Sequence, residues 1–509
     1  MASETTQSRM TNYRWAITSL LFFSVVINYM DRQVLSLTWK DFIAPEFHWT
    51  NNDYGTITGL FSIFYAVCLL FAGRFVDWID TKKGFLWAIG IWSAGAVLHA
   101  FCGIATSGIV AGKWLVGFEE ARRIISTVDD IGMVTSVSVT LFIFARFVLA
   151  LGEAGNFPAA IKTTAEFFPK KDRAFSTSIF NSGAQVGALI APITVPVIAA
   201  KYGWEMAFIA IGAIGFIWMG FWTFMYKKPH EHPRVNKAEL DYINQDIIAE
   251  TKANNNIAKP EKKISFLQTF KYRQTWAFAF GKFMTDGVWW FYLFWTPAYL
   301  SDVYGLTSDT TMAKTLIFVL YAIVMLSIIG GWLPKYFVDK LGMNPYAGRM
   351  RAMLIFAFFP LLALLAQPLG HISYWFPVII IGIAAAAHQA WSANLFSTIG
   401  DMFPKSVIAT VTGIGGMAGG VGAFIINKGS GALFDFASGS TMVDGQVAVM
   451  TRELLAAGAQ YLNGPIKFFG FEGIRAGYFI VFCICAVAYL IGWVAIKMLV
   501  PKYKPIVID

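Results

Sequence analysis

The 509-residue chain is 56% hydrophobic and 16% aromatic, with 14% charged residues and a formal net charge of +9. A soluble domain carries roughly 25% charged residues, so the composition excludes an ordinary soluble protein and points to a membrane protein. The basic surplus does not imply nucleic acid, because Lys and Arg are spread over loops beside apolar runs, where the positive-inside bias accounts for them.

Apolar runs long enough to cross a bilayer, about 20 residues, are predicted in chain order at 15–36, 54–76, 84–109, 133–160, 175–200 and 204–226. They resume at 274–300, 313–338, 350–370, 373–400, 406–434 and 474–499. The expected architecture is therefore an all-α membrane protein of twelve transmembrane helices. The first run is too long for a signal-peptide core and lacks a small-residue cleavage site, so it reads as a retained span. Arg9 and Arg14, Lys82 and Lys83, Lys170, Lys171 and Arg173, Lys335, Lys340, Arg349 and Arg351, and Lys497, Lys502 and Lys504 all fall on one side of this arrangement. Both termini are expected in the cytoplasm. Cys68, Cys102, Cys483 and Cys485 lie within spans without C-x-x-C spacing, which indicates neither a disulfide framework nor a zinc site.

Residues 227–272 form the longest polar stretch and divide the chain into an N-terminal half, 1–226, a cytoplasmic linker, and a C-terminal half, 273–509. Lys237, Glu239, Leu240, Asp241 and Ile243 suggest a short amphipathic surface helix in the linker, placed for packing. Residues 110–132 and 436–473 are expected on the outer side. The first of these is either a solvated surface segment, an interfacial helix, or a cover over the outer mouth.

The halves repeat. "FPKKDRAFSTSIFNSGAQVGALI" from Phe168 aligns with "FPKSVIATVTGIGGMAGGVGAFI" from Phe403, and "RFVDWID" from Arg74 echoes "YFVDKLG" from Tyr336. Parallel six-span halves related by an axis along the membrane normal place a ligand site at their interface.

Charged side chains inside spans cost at least about 2.5 kcal/mol at mid-bilayer and mark substrate or proton paths. Asp31 and Arg32 lie deep in the first span, Arg146 and Glu153 in the fourth, and Lys282 and Asp286 in the seventh. Arg146 and Glu153, nearly two turns apart, share a face, as do Asn28, Tyr29 and Arg32, while Asp31 turns away. Lys282 and Asp286 are equally compatible with a buried pair that fixes helix packing. The repeat offset sets His388 of the C-terminal half opposite Glu153. His388, followed by Gln389, Trp391, Ser392 and Asn394, suits either packing or recognition of sugar hydroxyls. The aromatic run "WWFYLFW" at 289–295, which includes Trp290, suits lipid anchoring or stacking on a sugar ring.

"NYMDR", "GRFVDWIDTKK", "ARFVLALGEAGNFPAA" and "FNSGAQVGALIAP" resemble the anion:cation symporter family of the major facilitator superfamily. "GKFMTDGVWWFYLFWTPAYL" and "AAHQAWSANLFS" resemble more specifically its hexuronate transporters. The loop after the second span keeps Gly73, Asp77, Lys82 and Lys83 of the superfamily pattern, but Trp78 stands where a basic residue is expected and Asp80 where a glycine is. The resemblance implies that Arg32 binds the substrate carboxylate, with Tyr29 and Tyr65 nearby. It also implies that Asp31 and Glu153 take the proton, that Arg146 couples the two, and that Gln185 and Asn394 read sugar hydroxyls.

The expected function is proton-coupled import of a sugar acid by alternating access, most specifically a hexuronate such as glucuronate or galacturonate. Another carboxylated sugar, an aldonate or aldarate, is the alternative. An enzyme is not expected, since no G-x-S-x-G, H-E-x-x-H or phosphate-cradling glycine motif is present, and a receptor lacks a signalling domain. The partners expected are an anionic sugar acid, protons and the lipid bilayer, with no cofactor, metal or nucleic acid. The chain is expected to be a monomer in the inner membrane of a bacterium.

Overall fold

The apolar periods of the sequence become long helices. The computed structural model describes residues 10–246, 266–403, 405–443, 446–504 and 506. Residues 1–9 and the central part of the expected linker, 247–265, lie outside the described residues.

Arg14–Thr38 forms the first span and continues through a π-helical turn, Trp39–Ile43, into Ala44–Phe47. Asn51–Ile79 is the second, and Thr81–Ala100 the third. Ile131–Glu153 and Asn156–Phe167 make a fourth span interrupted at Ala154 and Gly155. Lys170–Tyr202 and Trp204–Met225 complete the first half. In the second half, Arg273–Tyr304 is followed by spans through 311–341 and 345–370, then Trp375–Met402, Lys405–Ser438 and Ile474–Leu499.

Among the described residues, ten helices are long and apolar enough to cross a membrane. An eleventh is added if Thr81–Ala100 and Cys102–Ala111, bent by 51° at Phe101, count as one span. Arg273–Tyr304, the seventh span in chain order, falls outside that set. It is 32 residues long, but its Trp, Tyr and Thr content and its Lys282 and Asp286 make it less apolar.

One end of the bundle carries the linker. There the helix Lys237–Ile243 docks on the start of the first span through Glu239. The Glu239 carboxylate accepts from Thr11 Oγ1 at 2.5 Å, from the Tyr13 amide at 2.9 Å, and from the Arg14 amide and Nη1 at 3.1 Å each. Burial pushes this carboxyl up, but those four donors outweigh it and hold it below its ordinary value. At the same end Asp80, the residue in place of the expected glycine, has φ +88°. The turn still demands the conformation glycine adopts freely, and Asp80 offsets part of the strain by accepting the Thr81 amide at 2.8 Å.

The opposite end carries the two insertions. Residues 110–132 contain a short helix, Phe118–Ile125, that presents Arg122 to Glu205 at 2.7 Å and to Glu46 at 3.4 Å. Residues 436–473 add two antiparallel hairpins, Ser440–Val443 with Gln446–Val449 and Lys467–Phe468 with Phe471–Glu472.

At this insertion end the two halves are stitched together. Lys40 and Asp41, carried by the π-helical turn, reach the seventh span and the loop after it. Lys40 pairs with Asp302 at 2.8 Å, while Asp41 accepts from Ser301 Oγ and the Ser308 amide at 2.7 Å each. Asp435 accepts the amides of Asn51 at 3.0 Å and Asn52 at 2.7 Å, and Lys428 donates to Asn52 and Thr56 at 2.6 Å each. The second and eleventh spans touch through their backbones here. A Cβ at Gly431 would stand 2.3 Å from the Asn51 carbonyl and one at Gly55 2.7 Å from that of Asn427, so any larger residue would force the halves apart.

Candidate functional site

Glu153 owes its place to a close helix crossing. A Cβ at Gly152 would lie 2.3 Å from the Trp92 nitrogen, and one at Gly155 2.8 Å from the Ala88 Cβ. Glycine therefore lets the fourth span press onto the third, and the interruption that follows leaves Glu153 at a helix end inside the bundle. From the first span Arg32 donates Nε to Glu153 Oε2 at 2.7 Å, and both side chains are less than 5% exposed.

Three aromatic rings enclose the same guanidinium. Its Cζ stands 5.3 Å from the Tyr29 centroid, 4.4 Å from that of Tyr65 and 5.3 Å from that of Trp290. Desolvated cation–π contacts of this kind contribute about 2 kcal/mol. Trp290 belongs to the seventh span and the two tyrosines to the first and second, so the cage is built from both halves. Arg32 Nη2 is buried and has no hydrogen-bond partner within the protein.

Behind this pair lies a polar layer rich in unanswered groups. Asp31 is 2% exposed and lies within electrostatic reach of Glu153 and Arg146, with the Trp92 indole facing it. Arg146 rests over Phe61 at 5.2 Å. Both Asp31 oxygens, Glu153 Oε1, both polar atoms of the Asn28 amide and all three guanidinium nitrogens of Arg146 are buried without a partner. Each such group costs about 1–3 kcal/mol. A concentration of them in one place is the signature of a site that handles charge rather than of a packed core.

Arg146 and Glu153 share one face of a helix, as their spacing requires, yet Glu153 bonds to Arg32. Seven residues of spacing along a helix say which face a side chain takes, not which neighbouring helix supplies its partner.

The C-terminal half contributes a second group. His388 Nδ1 lies 2.8 Å from the Tyr489 hydroxyl, and its ring stacks on Trp289 at 5.5 Å and 9°. Trp391 is fully buried, edge-on to Tyr489 at 5.7 Å, and its indole N–H has no partner. Asn394 donates its amide to the carbonyls of Gly330 and Ala390, both at 2.8 Å, so its NH2 ties the eighth and tenth spans together. Between the halves, a residual cavity of about 10 Å³ is lined by Tyr29 and Gln185 on one side and by Trp289, Tyr321 and Gln389 on the other. That volume is about one water. A larger cavity, about 190 Å³, lies at the insertion end among Tyr304, Gln367, His371 and Arg475, away from the charged centre.

Arg32, Tyr29, Tyr65, Trp290 and Glu153 thus come into direct contact, with Asp31 and Arg146 behind them and Gln185 at the interface. His388 and Trp391 gather around Tyr489, and Asn394 is engaged in packing. Sequence reasoning passed over Tyr489 and Tyr321, since one tyrosine in an apolar run is indistinguishable from a packing residue. It also passed over Trp92, whose indole turns inward to Asp31.

Comparison with known proteins agrees with this architecture. The chain is 27% identical over 426 residues to the hexuronate transporter of Escherichia coli (strain K12), covering 83% of this chain and 88% of that protein. It is 24% identical over 336 residues to the galacturonate transporter of Dickeya chrysanthemi, covering 66% of this chain and 86% of that one. Among solved structures, a bacterial homologue of the human lysosomal transporter Spinster, in an inward-facing and occupied conformation, superposes with a TM-score of 0.65. That match has 18% identity and covers 97% of this chain and 98% of that one. The model of the Major Facilitator Superfamily matches residues 21–426, and the chain belongs to that superfamily of transporters, not enzymes.

Proposed function

We propose that this protein is a proton-coupled symporter that imports a sugar acid, specifically a hexuronate such as glucuronate or galacturonate, across the inner membrane of a bacterium. The observation that carries the reading is Arg32: a guanidinium caged by rings from both halves, with Nε on Glu153 and a buried, unpartnered Nη2. Guanidinium is always charged and its planar fork matches a carboxylate. Sugar-acid transporters among the relatives support the same ligand class.

In this reading a substrate carboxylate and the Glu153 carboxylate compete for one arginine. Protonation of Glu153 removes the competitor, so the proton and the anion load together. Asp31 and Arg146 balance the charge behind the pair, while Tyr29, Tyr65 and Trp290 hold the guanidinium in place. The stitched insertion end is the outer side and is closed here, and the halves rock about the site to open it. Gln185 and His388 face the sugar, with Trp391 supporting His388; Asn394 reads a hydroxyl only through its carbonyl oxygen, because its NH2 is taken.

The test is a competition panel on purified protein in liposomes, with labelled glucuronate as the transported species. Excess galacturonate should abolish uptake, and neutral glucose, which has the ring but no carboxylate, should not compete. Equal competition by glucose, or no glucuronate uptake, would show that Arg32 does not select a carboxylate.

A further inference from the structure

The Lys282–Asp286 pair of the seventh span is largely enclosed, though less so than Arg32 and Glu153, and the functional reading above leaves it unused. Lys282 Nζ lies 2.6 Å from Asp286 Oδ2, with side chains 8% and 14% exposed. Lys282 also rests over Phe396 at 4.5 Å. Asp286 Oδ1 is buried and has no partner. The eleventh span makes room for this carboxylate with Gly419, where a Cβ would stand 2.3 Å from Oδ2.

Spacing ties the pair to the Arg32 cage. Lys282, Asp286 and Trp290 follow one another at i, i+4, so they form one stripe on one face of the helix. Trp290, at the end of that stripe, covers the Arg32 guanidinium at 5.3 Å. Asp286 therefore sits one turn, ~6 Å along the axis, from the residue that touches the carboxylate clamp. The contact with Gly419 turns its carboxylate toward the eleventh span, into the bundle rather than toward lipid.

We propose that Lys282 and Asp286 are the hydroxyl-reading end of the ligand site, taking the polyol end of a monocarboxylic sugar acid whose carboxylate rests on Arg32. The inference rests on the sugar-acid reading above. A carboxylate oxygen accepts hydrogen bonds from adjacent hydroxyls, and the ammonium donates to a third. The pair is neutral overall, so it does not compete with Arg32 for the carboxylate. A second carboxylate at the far end of the ligand, as in an aldarate, meets the unpartnered Asp286 Oδ1, to which it has no proton to donate, while the Lys282 charge is already balanced by Oδ2, so the stripe selects hexuronates and aldonates over aldarates.

The experiment measures counterflow of labelled glucuronate in liposomes, with glucuronate, galacturonate and an aldarate as unlabelled competitors. Wild type should prefer either hexuronate to the aldarate. Asp286→Asn replaces the acceptor-only carboxylate and weakens the hydroxyl contacts, and the preference should narrow about tenfold or more, the worth of a hydrogen bond to a charged group. Asp286→Asn leaves Lys282 buried and uncompensated, so the neutral double variant Lys282→Met with Asp286→Asn is tested alongside it, since it buries no unpaired charge. An unchanged ratio in either transporting variant, or loss of the folded state in the double variant, would show that the pair holds helices together and would overturn the proposal. If wild type exchanges no sugar acid, the functional reading itself fails. If wild type exchanges hexuronates and the ratio does not move, only the role of this pair fails.

Discussion

Replacing Glu153 with Gln separates binding from coupling, because Arg32 connects the two. Glu153 Oε2 accepts from Arg32 Nε at 2.7 Å in a site almost closed to solvent. A hydrogen bond between charged partners contributes about 1.5–3 kcal/mol, and a neutral amide oxygen gives about half of that. Glu153→Gln keeps the shape and the acceptor but releases about 1 kcal/mol of the arginine's attraction, which a substrate carboxylate then recovers. The variant should bind hexuronate roughly fivefold more tightly at neutral pH, by the tenfold per 1.4 kcal/mol relation. It should also exchange substrate, since a loaded carrier reorients without releasing a proton. Net uptake driven by a pH gradient should fail, because the empty carrier has no proton to give up before it returns. The assays are isothermal titration on purified protein, and counterflow and gradient-driven uptake on one liposome preparation. Weaker binding by a folded variant, or undiminished gradient-driven uptake, would refute the competition between Glu153 and substrate. Loss of both transport activities would assign Glu153 to holding Arg32 in place.

Arg32→Lys keeps the charge but not the planar fork, and should raise the concentration of hexuronate for half-maximal uptake at least tenfold; wild-type affinity would move carboxylate capture elsewhere. Glu239→Gln removes the anion that four donors converge on at the linker, and should lower stability by about 2 kcal/mol, read as a drop in melting temperature in detergent. Because the folded Glu239 carboxyl is held below its ordinary value, its stabilisation is complete above the unfolded value, about 4.3, and is lost as pH falls through the folded one; a melting temperature equally acid-sensitive in the variant would contradict this. Cysteine at Thr127 or Leu462, both exposed at the insertion end, should react with an impermeant thiol reagent on intact cells, whereas cysteine at position 255 of the linker should not. The reverse pattern would invert the topology.

Much of this molecule is legible from its residues. Long apolar runs bounded by basic loops become helices almost at the expected limits, and the rarity of charge inside them singles out Asp31, Arg32, Arg146, Glu153, Lys282 and Asp286. Lys282 and Asp286 announce their own pair by i, i+4 spacing, but the partners of Asp31, Arg32, Arg146 and Glu153 are not legible, because periodicity fixes a face and only the packing of distant helices chooses what the face meets. Gly152 and Gly155 decide where Glu153 stands, yet in the sequence they are two small residues among many. The hairpins of 440–472 are equally hidden, being two- and four-residue strands with no repeating pattern. The π-helical turn that carries Lys40 and Asp41 into the other half has no compositional mark at all. At the linker, the amphipathic pattern of 237–243 announces a helix, but not that Glu239 would gather two backbone amides and two side chains.

Accumulation of labelled glucuronate in liposomes, acidic outside and alkaline inside, tests proton-coupled sugar-acid import most directly. The internal concentration should rise above the external one, and a protonophore should return it to equality within minutes. Equilibration without accumulation, or accumulation indifferent to the protonophore, would mean that the proton does not travel with the anion.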